Sequence, residues 1–298
     1  MAVIRVTSHS AQGLTAAENQ DALRAVIPRS PAELADRGAL FLVADGLGGH
    51  QGGAVASRIA ADAVCRHYYG DRSPITIGQR LTAAIGSANG WVRYWARQRA
   101  DLREMGTTLT AVVVVGESLL VAHVGDSRAY LVRAGRAWRL TQDETWCAGA
   151  MRRGLLTPEE AAHHPWRNIL ERYLGGRSAL SVQVQRYVIH PGDMLLLSSD
   201  GVTDWIRGDE LAAMVSQAPW NESAPRAMAT LARRRGSNDD ASVLVVSLDH
   251  QCNRAKPVSG PVYCGAGTSF TGSLEVAFAV SAGALVGFCE LCLMLLSL

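Results

Sequence analysis

The sequence predicts an α+β fold in which runs of consecutive strands are flanked by helices. β-rich segments follow one another through residues 107–140, whereas helical periodicity marks residues 52–69 and 77–95 before them. Strand and helix do not alternate strictly along the chain, and no internal repeat is visible. This order favours helices layered on antiparallel sheets over a parallel α/β sheet.

Composition supports a folded chain without a nucleic-acid footprint. The 298 residues are 48% hydrophobic, which is enough for a sizeable core in one large domain or two small ones. The formal charge is only +2, from 29 basic and 27 acidic side chains. We therefore expect no nucleic-acid partner.

The cysteines indicate a reduced compartment. Six in a chain of this length do not make a disulfide scaffold, and four of them lie after residue 250. The N-terminal residues lack the pattern of a signal peptide. We therefore expect the body of the chain to be cytoplasmic.

The first part of the chain predicts two strands and two helices. Residues 3–6 form a short strand, and a polar loop at 28–38 leads to an apolar strand at 41–44 that ends in Asp45. Apolar residues then recur at helical spacing over 52–69 and 77–95.

Four β-rich runs come next and predict an antiparallel meander. Short turns at 116–118, 125–127 and 134–135 separate them. The runs are residues 107–115, 119–124, 129–133 and 137–140.

The second half interrupts the β pattern and then resumes it. Thr157-Pro158-Glu159-Glu160 combines an N-cap threonine, a proline at the first helical position and a glutamate three residues after the cap, which predicts a helix start. The remaining elements are strands at 181–189 and 194–199, helices at 209–217 and 222–235, and a last strand at 242–248.

Carboxylates stand where strands end or turn tightly. They are Asp45, Asp126, Asp200 and the pair Asp239-Asp240, and Asp21 is a further candidate. Carboxylate and carbonyl oxygens suit Mg²⁺ or Mn²⁺ rather than zinc. From position alone, a metal-dependent hydrolase and a cluster of acidic turn residues both remain open.

Six short motifs follow one another along the chain: Asn19-Gln20-Asp21, Asp45-Gly46-Leu47-Gly48-Gly49-His50, Gly106-Thr107-Thr108, Gly125-Asp126-Ser127-Arg128, Ser199-Asp200-Gly201 and Asp239-Asp240-Ala241-Ser242. This ordered set resembles the metal-dependent protein Ser/Thr phosphatases (PPM, type 2C) of bacterial type. The resemblance spans about residues 3–249, and residues 154–161 and 164–168 resemble the flap subdomain of bacterial members.

The resemblance implies a four-layer αββα sandwich with two metal ions, Mn²⁺ or Mg²⁺, at one edge of the paired sheets. Asp45 bridges both ions, and the carbonyl of Gly46 binds the second. Asp200 and Asp239 complete the first, and these three aspartates are the implied catalytic residues. Asp21 acts through metal-bound water, Asp126 matches the site of a third, weaker ion, and Asp240 has a supporting role.

The implied activity is hydrolysis of phosphoserine and phosphothreonine in proteins by a water that two metals activate, in opposition to a cognate Ser/Thr kinase. The implied domain covers residues 1–249, with a flap at 141–180, and we expect a monomer. The alternatives are a pseudophosphatase that acts as a signalling or binding module, and a metal phosphohydrolase acting on small molecules.

Three departures from the family pattern leave the substrate-binding residues unassigned. Gln20 replaces the usual glutamate, and Ala16 replaces the usual phosphate-binding arginine, for which Arg5 is a candidate substitute. The general-acid histidine of eukaryotic members falls on Leu47, so His50 is either a structural loop residue or a site participant.

The C-terminal end changes composition. Residues 250–273 read as a Gly/Pro/Ser-rich linker, and residues 274–298 are overwhelmingly apolar. That segment predicts a membrane contact that tethers the cytoplasmic domain to the inner membrane, although Glu290 lies within it. A helix docked on a partner and a tail from an altered reading frame are the alternatives.

Overall fold

Eleven strands form two antiparallel sheets in the computed structural model, which describes residues 2–47, 52–176, 180–216 and 221–250. The strands are β1 (Ala2–Ala11), β2 (Asp21–Val26), β3 (Ala39–Leu47), β4 (Gly106–Thr107), β5 (Leu109–Val115), β6 (Ser118–Val124), β7 (Arg128–Arg133), β8 (Arg136–Arg139), β9 (Val184–Val188), β10 (Asp193–Ser198) and β11 (Ala241–His250).

Eight α-helices flank the sheets in the described part of the chain. They are α1 (Pro31–Arg37), α2 (Gly52–Gly70), α3 (Ile77–Gln98), α4 (Trp146–Arg152), α5 (Pro158–His163), α6 (Asp200–Thr203), α7 (Gly208–Val215) and α8 (Ala224–Arg234). A 3₁₀ turn at Ala100–Leu102 follows α3.

The strand order separates the chain into two sheets that share no strand. Sheet I has the order β1-β11-β10-β7-β8, so its two longest strands, from opposite ends of the domain, lie side by side. Sheet II has the order β2-β3-β5-β6-β9, and β4 pairs with the end of β3.

Three apolar clusters define four layers. The central core lies between the sheets, where Phe41 and Val112 of sheet II meet Leu195 and Leu244 of sheet I. A second cluster joins the opposite face of sheet II to α2 and α3, and a third joins the opposite face of sheet I to α7 and α8. This arrangement is the expected αββα sandwich, and the α+β prediction is confirmed.

The meander prediction is wrong. β5 and β6 pair in sheet II, whereas β7 and β8 pair in sheet I. The segment Gly125-Asp126-Ser127 therefore carries the chain from one sheet to the other instead of closing a hairpin. Gly125 has a φ of 106°, and a Cβ there would lie 2.7 Å from the Thr108 side chain, so this passage needs a glycine.

Two further differences concern short elements. The predicted polar loop at 28–38 contains α1, whose cap is Ser30 and whose first residue is Pro31. The sequence patterns predict no strand at the position of β2, which lies directly before this segment. The predicted helix start at Thr157 is confirmed, since the Thr157 and Glu160 side chains each bond the other's backbone amide.

Some predictions fall outside the described residues. His50 is among them, as are the linker after His250 and the apolar segment 274–298. Within the described ranges, no helix has both the length and the apolar character needed to span a membrane.

Replacing Leu197 with alanine should lower the free energy of unfolding by about 3–4 kcal/mol, because this fully buried side chain fills the central core. The matched change Leu155→Ala, at a side chain that is 66% exposed, should cost less than about 0.5 kcal/mol. Urea unfolding of both variants measures the difference, and equal losses would contradict a close-packed central core.

Candidate metal-binding active site

Two aspartates from sheet II face each other across neighbouring strands. Asp21 begins β2 and is the direct cross-strand partner of Asp45 in β3. Side chains alternate along a strand, and Val43 lies in the central core, so Asp45 projects into the same space between the sheets. The first two carboxylates therefore meet at one edge of the sandwich.

Sheet I brings two more aspartates to this edge. Asp200 starts α6 directly after β10, and Asp239 lies just before β11. Between these strands, the Ser199 hydroxyl donates to a carboxylate oxygen of Asp21 at 2.8 Å and accepts from the Ser242 amide at 3.0 Å. This serine links the two sheets at the site.

Asp126 approaches from the passage between the sheets and is buried. Beside it, Arg128 forms ion pairs of 2.8 Å with both Asp143 and Asp204. The same guanidinium donates to the carbonyl of Thr203 at 2.7 Å. One arginine thus offsets part of the negative charge on this side of the site.

Electrostatics shows that the five aspartates converge. Burial raises the pKa of Asp45 well above its usual range, and the charges of Asp21, Asp200, Asp126 and Asp239 raise it further. Burial is also the main cause that raises the pKa of Asp21 and Asp126 to about 8 and that of Asp200 to about 7. Without cations, the site therefore holds protons at neutral pH.

The backbone of Asp45 is fixed by two threonines from the β4–β5 segment. The Thr107 hydroxyl and the Thr108 amide both donate to the Asp45 carbonyl at 2.8 Å. The Asp45 amide donates in turn to the Thr108 hydroxyl at 2.9 Å. The sequence showed Gly106-Thr107-Thr108 only as a motif without a role, and the structure supplies that role.

The N-terminus of α2 packs closely on the end of β3. A Cβ on Gly46 would lie 2.2 Å from the Gly53 carbonyl oxygen, and a Cβ on Gly53 would lie 2.2 Å from the Gln20 side-chain oxygen. The Gly46 amide donates to the Gln20 carbonyl at 3.2 Å. Gln20 is therefore at the site, and the assignment of the Gly46 carbonyl as a ligand stays a prediction.

The carboxylate of Asp240 is bonded to backbone amides, so it is not free to act as a ligand in the aspartate cluster. Its two oxygens accept the amides of Gly13 at 2.6 Å and Gln20 at 2.7 Å. These bonds tie the loop before β2 to the start of β11. The supporting role expected for Asp240 agrees with this geometry.

Arg5 does not replace the missing phosphate-binding arginine. It pairs with Ser247 in mid-strand, six residues from Ala11, which lies opposite Ala241 at the site end. At about 3.3 Å per residue, that separation is about 20 Å, too far for the side chain to reach the cluster. The hypothesis based on Arg5 is wrong.

The donor set fits hard divalent cations. One carboxylate oxygen of Asp21 and one of Asp200 are buried without a hydrogen-bond partner in the described structure. Buried, uncompensated carboxylates are costly, and oxygen-coordinated cations relieve that cost. The chemistry of these residues is therefore that of a Mg²⁺ or Mn²⁺ site.

The arrangement as it stands is not a finished coordination sphere. Among the described residues, no group of three or more histidine, cysteine, aspartate or glutamate side chains is positioned to hold an ion without adjustment. The raised pKa values of Asp21, Asp126 and Asp200 mean that carboxyl groups at the site carry protons near neutral pH. Cation binding must displace those protons.

The chain belongs to the protein phosphatase 2C family, whose profile it matches over residues 6–242. It is 33% identical over 258 residues to the serine/threonine protein phosphatase PstP of Mycobacterium tuberculosis, which covers 86% of this chain and 47% of PstP. It thus spans about half the length of that relative. The serine/threonine phosphatase stp of Listeria monocytogenes is 31% identical over 217 residues, with 72% of this chain and 86% of stp covered.

Solved structures agree with the fold. The crystal structure of M. tuberculosis PstP has a TM-score of 0.73 at 32% identity and covers 84% of this chain and 100% of its own. The catalytic domain of PstP in complex with two manganese ions has a TM-score of 0.71 at 30% identity, with the same coverage. Metal binding and the serine/threonine phosphatase class are therefore features of the family to which this chain belongs.

The metal-free protein should become less stable as pH rises from 7 to 8.5. The folded site binds more protons than the unfolded chain, whose aspartates ionise near pH 4, so stability is lost as pH passes the raised pKa values. Histidines are mostly neutral throughout this range. We expect a loss of about 2 kcal/mol, or about 5 °C in Tm.

Calorimetry in the presence of a chelator measures this change. Mn²⁺ should stabilise the protein more at pH 8.5 than at pH 7, because fewer protons then compete with the cation. A metal-free Tm that is constant or rises over this range would contradict the convergence of the carboxylates.

Asp240→Asn should cost about 1–3 kcal/mol, because an amide keeps one acceptor and turns its N–H₂ group towards the second backbone amide. The control change Asp36→Asn, at an exposed side chain, should alter the free energy of unfolding by less than about 0.5 kcal/mol. Denaturant unfolding compares the two, and a neutral Asp240→Asn would show that one of the two amide bonds contributes nothing.

Proposed function

We propose that this chain is a metal-dependent phosphatase that hydrolyses phosphoserine and phosphothreonine in proteins. The observation that carries the proposal is the convergence of five aspartates from two sheets at one edge of a type 2C fold, with two carboxylate oxygens left buried and unpartnered. Phosphorylated proteins are the proposed substrates, and a Ser/Thr kinase that phosphorylates them is the proposed counterpart.

Asp45, Asp200, Asp239 and Asp21 are the residues that would hold two cations, and Asp126 would support a third. Divalent cations in such a site acidify water and offset the negative charge of phosphoryl oxygens during in-line displacement. Mn²⁺ and Mg²⁺ both suit the oxygen donors.

The chain's own residues prepare the site in three ways. Thr107 and Thr108 hold the backbone of Asp45 in place, so the position from which its carboxylate extends is fixed. Ser199 orients one carboxylate oxygen of Asp21 and leaves the other free for a ligand. Arg128 shares its charge between Asp143 and Asp204 and so limits the repulsion on Asp126.

Gln20 and Ala16 motivated the alternative of a pseudophosphatase. Gln20 lies at the site, yet its backbone already serves there by bonding Asp240 and Gly46. The named relatives are phosphatases, and nothing in the comparisons favours a non-catalytic module. Cytoplasmic location and a membrane contact through residues 274–298 stay proposals, supported by composition alone.

Asp200→Asn should reduce kcat/KM for a phosphothreonine peptide with Mn²⁺ by about 100- to 1,000-fold, because the site loses a carboxylate that would hold a cation against the reacting phosphoryl group. It should also weaken Mn²⁺ binding measured by calorimetry. Asp209→Asn, at an exposed helix start, is the control and should change neither quantity more than about twofold.

The wild-type chain decides between the candidate functions. Chelator-sensitive turnover of the peptide supports the proposal. Mn²⁺ binding without turnover would instead indicate a pseudophosphatase, and turnover of small phosphate esters alone would favour a small-molecule phosphohydrolase.

A further inference from the structure

His123 is a half-buried titratable residue that the proposed chemistry does not use. It lies in β6, opposite Thr110 of β5, and both side chains project between the sheets because Val121 and Val112, two residues away on each strand, lie in the central core. His123 is three residues before Asp126. Its position is thus next to the site but outside the proposed ligand set.

A chain of hydrogen bonds runs from the Asp45 backbone to this histidine. The Thr108 hydroxyl, which accepts the Asp45 amide, bonds the Ser127 hydroxyl at 2.7 Å. The Thr110 hydroxyl donates to the Ser127 carbonyl at 2.8 Å and lies 2.8 Å from Nδ1 of His123. The other ring nitrogen, Nε2, lies 3.1 Å from the carbonyl oxygen of Gln142.

Gln142 is the second residue of the flap, which we define as residues 141–180 and of which 141–176 and Leu180 are described. The next two residues fasten this segment to the site. Asp143 pairs with Arg128, and Glu144 exchanges bonds with Gly125, whose carbonyl accepts the Glu144 amide at 2.7 Å. Gln142, Asp143 and Glu144 form what we call the flap root.

The hydrogen bonds of His123 determine the protonation state and the tautomer of its imidazole ring. A carbonyl oxygen only accepts, so the bond to Gln142 requires a proton on Nε2. Burial lowers the pKa of His123 to about 4, which makes the ring neutral at pH 7 with a single N–H. Nδ1 then carries no proton and can accept from the Thr110 hydroxyl. The single hydroxyl proton of Thr110 is shared between Nδ1 and the Ser127 carbonyl oxygen.

We propose that His123 is a positioning residue that donates from Nε2 to Gln142 and thereby holds the flap root in register with the carboxylate edge. The inference rests on the proposed phosphatase function. The flap exposes the large apolar side chains Leu155, Trp166 and Ile169, which offer contact area to a peptide but not to a small ester. His123 therefore sets the affinity for the peptide part of the substrate, whereas turnover depends on the aspartates.

Two variants of similar size distinguish the roles of the two ring nitrogens of His123. The amide N–H₂ of His123→Gln reaches the position of Nε2, whereas that of His123→Asn reaches only as far as Nδ1. His123→Asn should raise KM for a phosphothreonine peptide about tenfold, the effect of one lost hydrogen bond. His123→Gln should keep KM within about threefold, and both variants should keep kcat for p-nitrophenyl phosphate within about threefold.

A second measurement does not depend on catalysis. Amide hydrogen exchange at residues 141–176 should be faster in His123→Asn than in His123→Gln or the wild-type chain. Equal exchange and equal KM values in the two variants would overturn the proposal, as would equal losses with the peptide and the small ester. If the wild-type chain hydrolyses neither substrate, the proposed function fails, and the exchange rates still decide whether His123 holds the flap root.

Discussion

The burial of several like charges at one point is the constraint on which the rest of this structure depends. Asp21 and Asp45 come from sheet II, Asp200 and Asp239 from sheet I, and Asp126 from the passage between them. Asp21 and Asp126 are buried, Asp45 and Asp200 are half-buried and Asp239 is exposed. Burial and mutual repulsion raise the pKa values of the first four. Such a cluster persists only where the surrounding fold forces it together or where cations and protons neutralise it.

The surrounding polar groups hold backbone in place rather than neutralise the cluster. Thr107 and Thr108 act on the Asp45 peptide groups, and Asp240 acts on the amides of Gly13 and Gln20. Arg128 is the cation that the described structure places beside the cluster, and it is already committed to Asp143 and Asp204. The protein thus leaves most of the negative charge for divalent cations to balance.

Sequence patterns predict the helices and strands more accurately than they predict which strands pair. The apolar periodicity of α2 and the capping signature at Thr157 are local signals, and both predictions hold. Ser30-Pro31-Ala32-Glu33 carries the same signature at α1, although the polar composition of residues 28–38 predicts a loop there. The segment Gly125-Asp126-Ser127 resembles a hairpin turn in sequence, and only long-range packing determines that it connects two sheets.

The same distinction holds at the site. Aspartates at strand ends were visible because a carboxylate after an apolar run is a local pattern, and the family resemblance ordered them. The roles of Thr107, Ser199 and His123 depend on residues far away in sequence, so spacing alone could not assign them. Arg5 failed as a candidate because its distance from the site depends on the register of β1 with β11.

The central position of β11 in sheet I has a consequence for synthesis of the protein. This strand, which is the last one described, pairs with β1 on one side and β10 on the other, and Asp239 and Asp240 immediately precede it. A nascent chain whose residues 241–250 have not yet left the ribosome has made the other described strands but cannot close sheet I or complete the cluster. It exposes two unpaired strand edges until the final segment emerges, which is the stage at which a chaperone is most needed. Activity cannot precede completion of the domain.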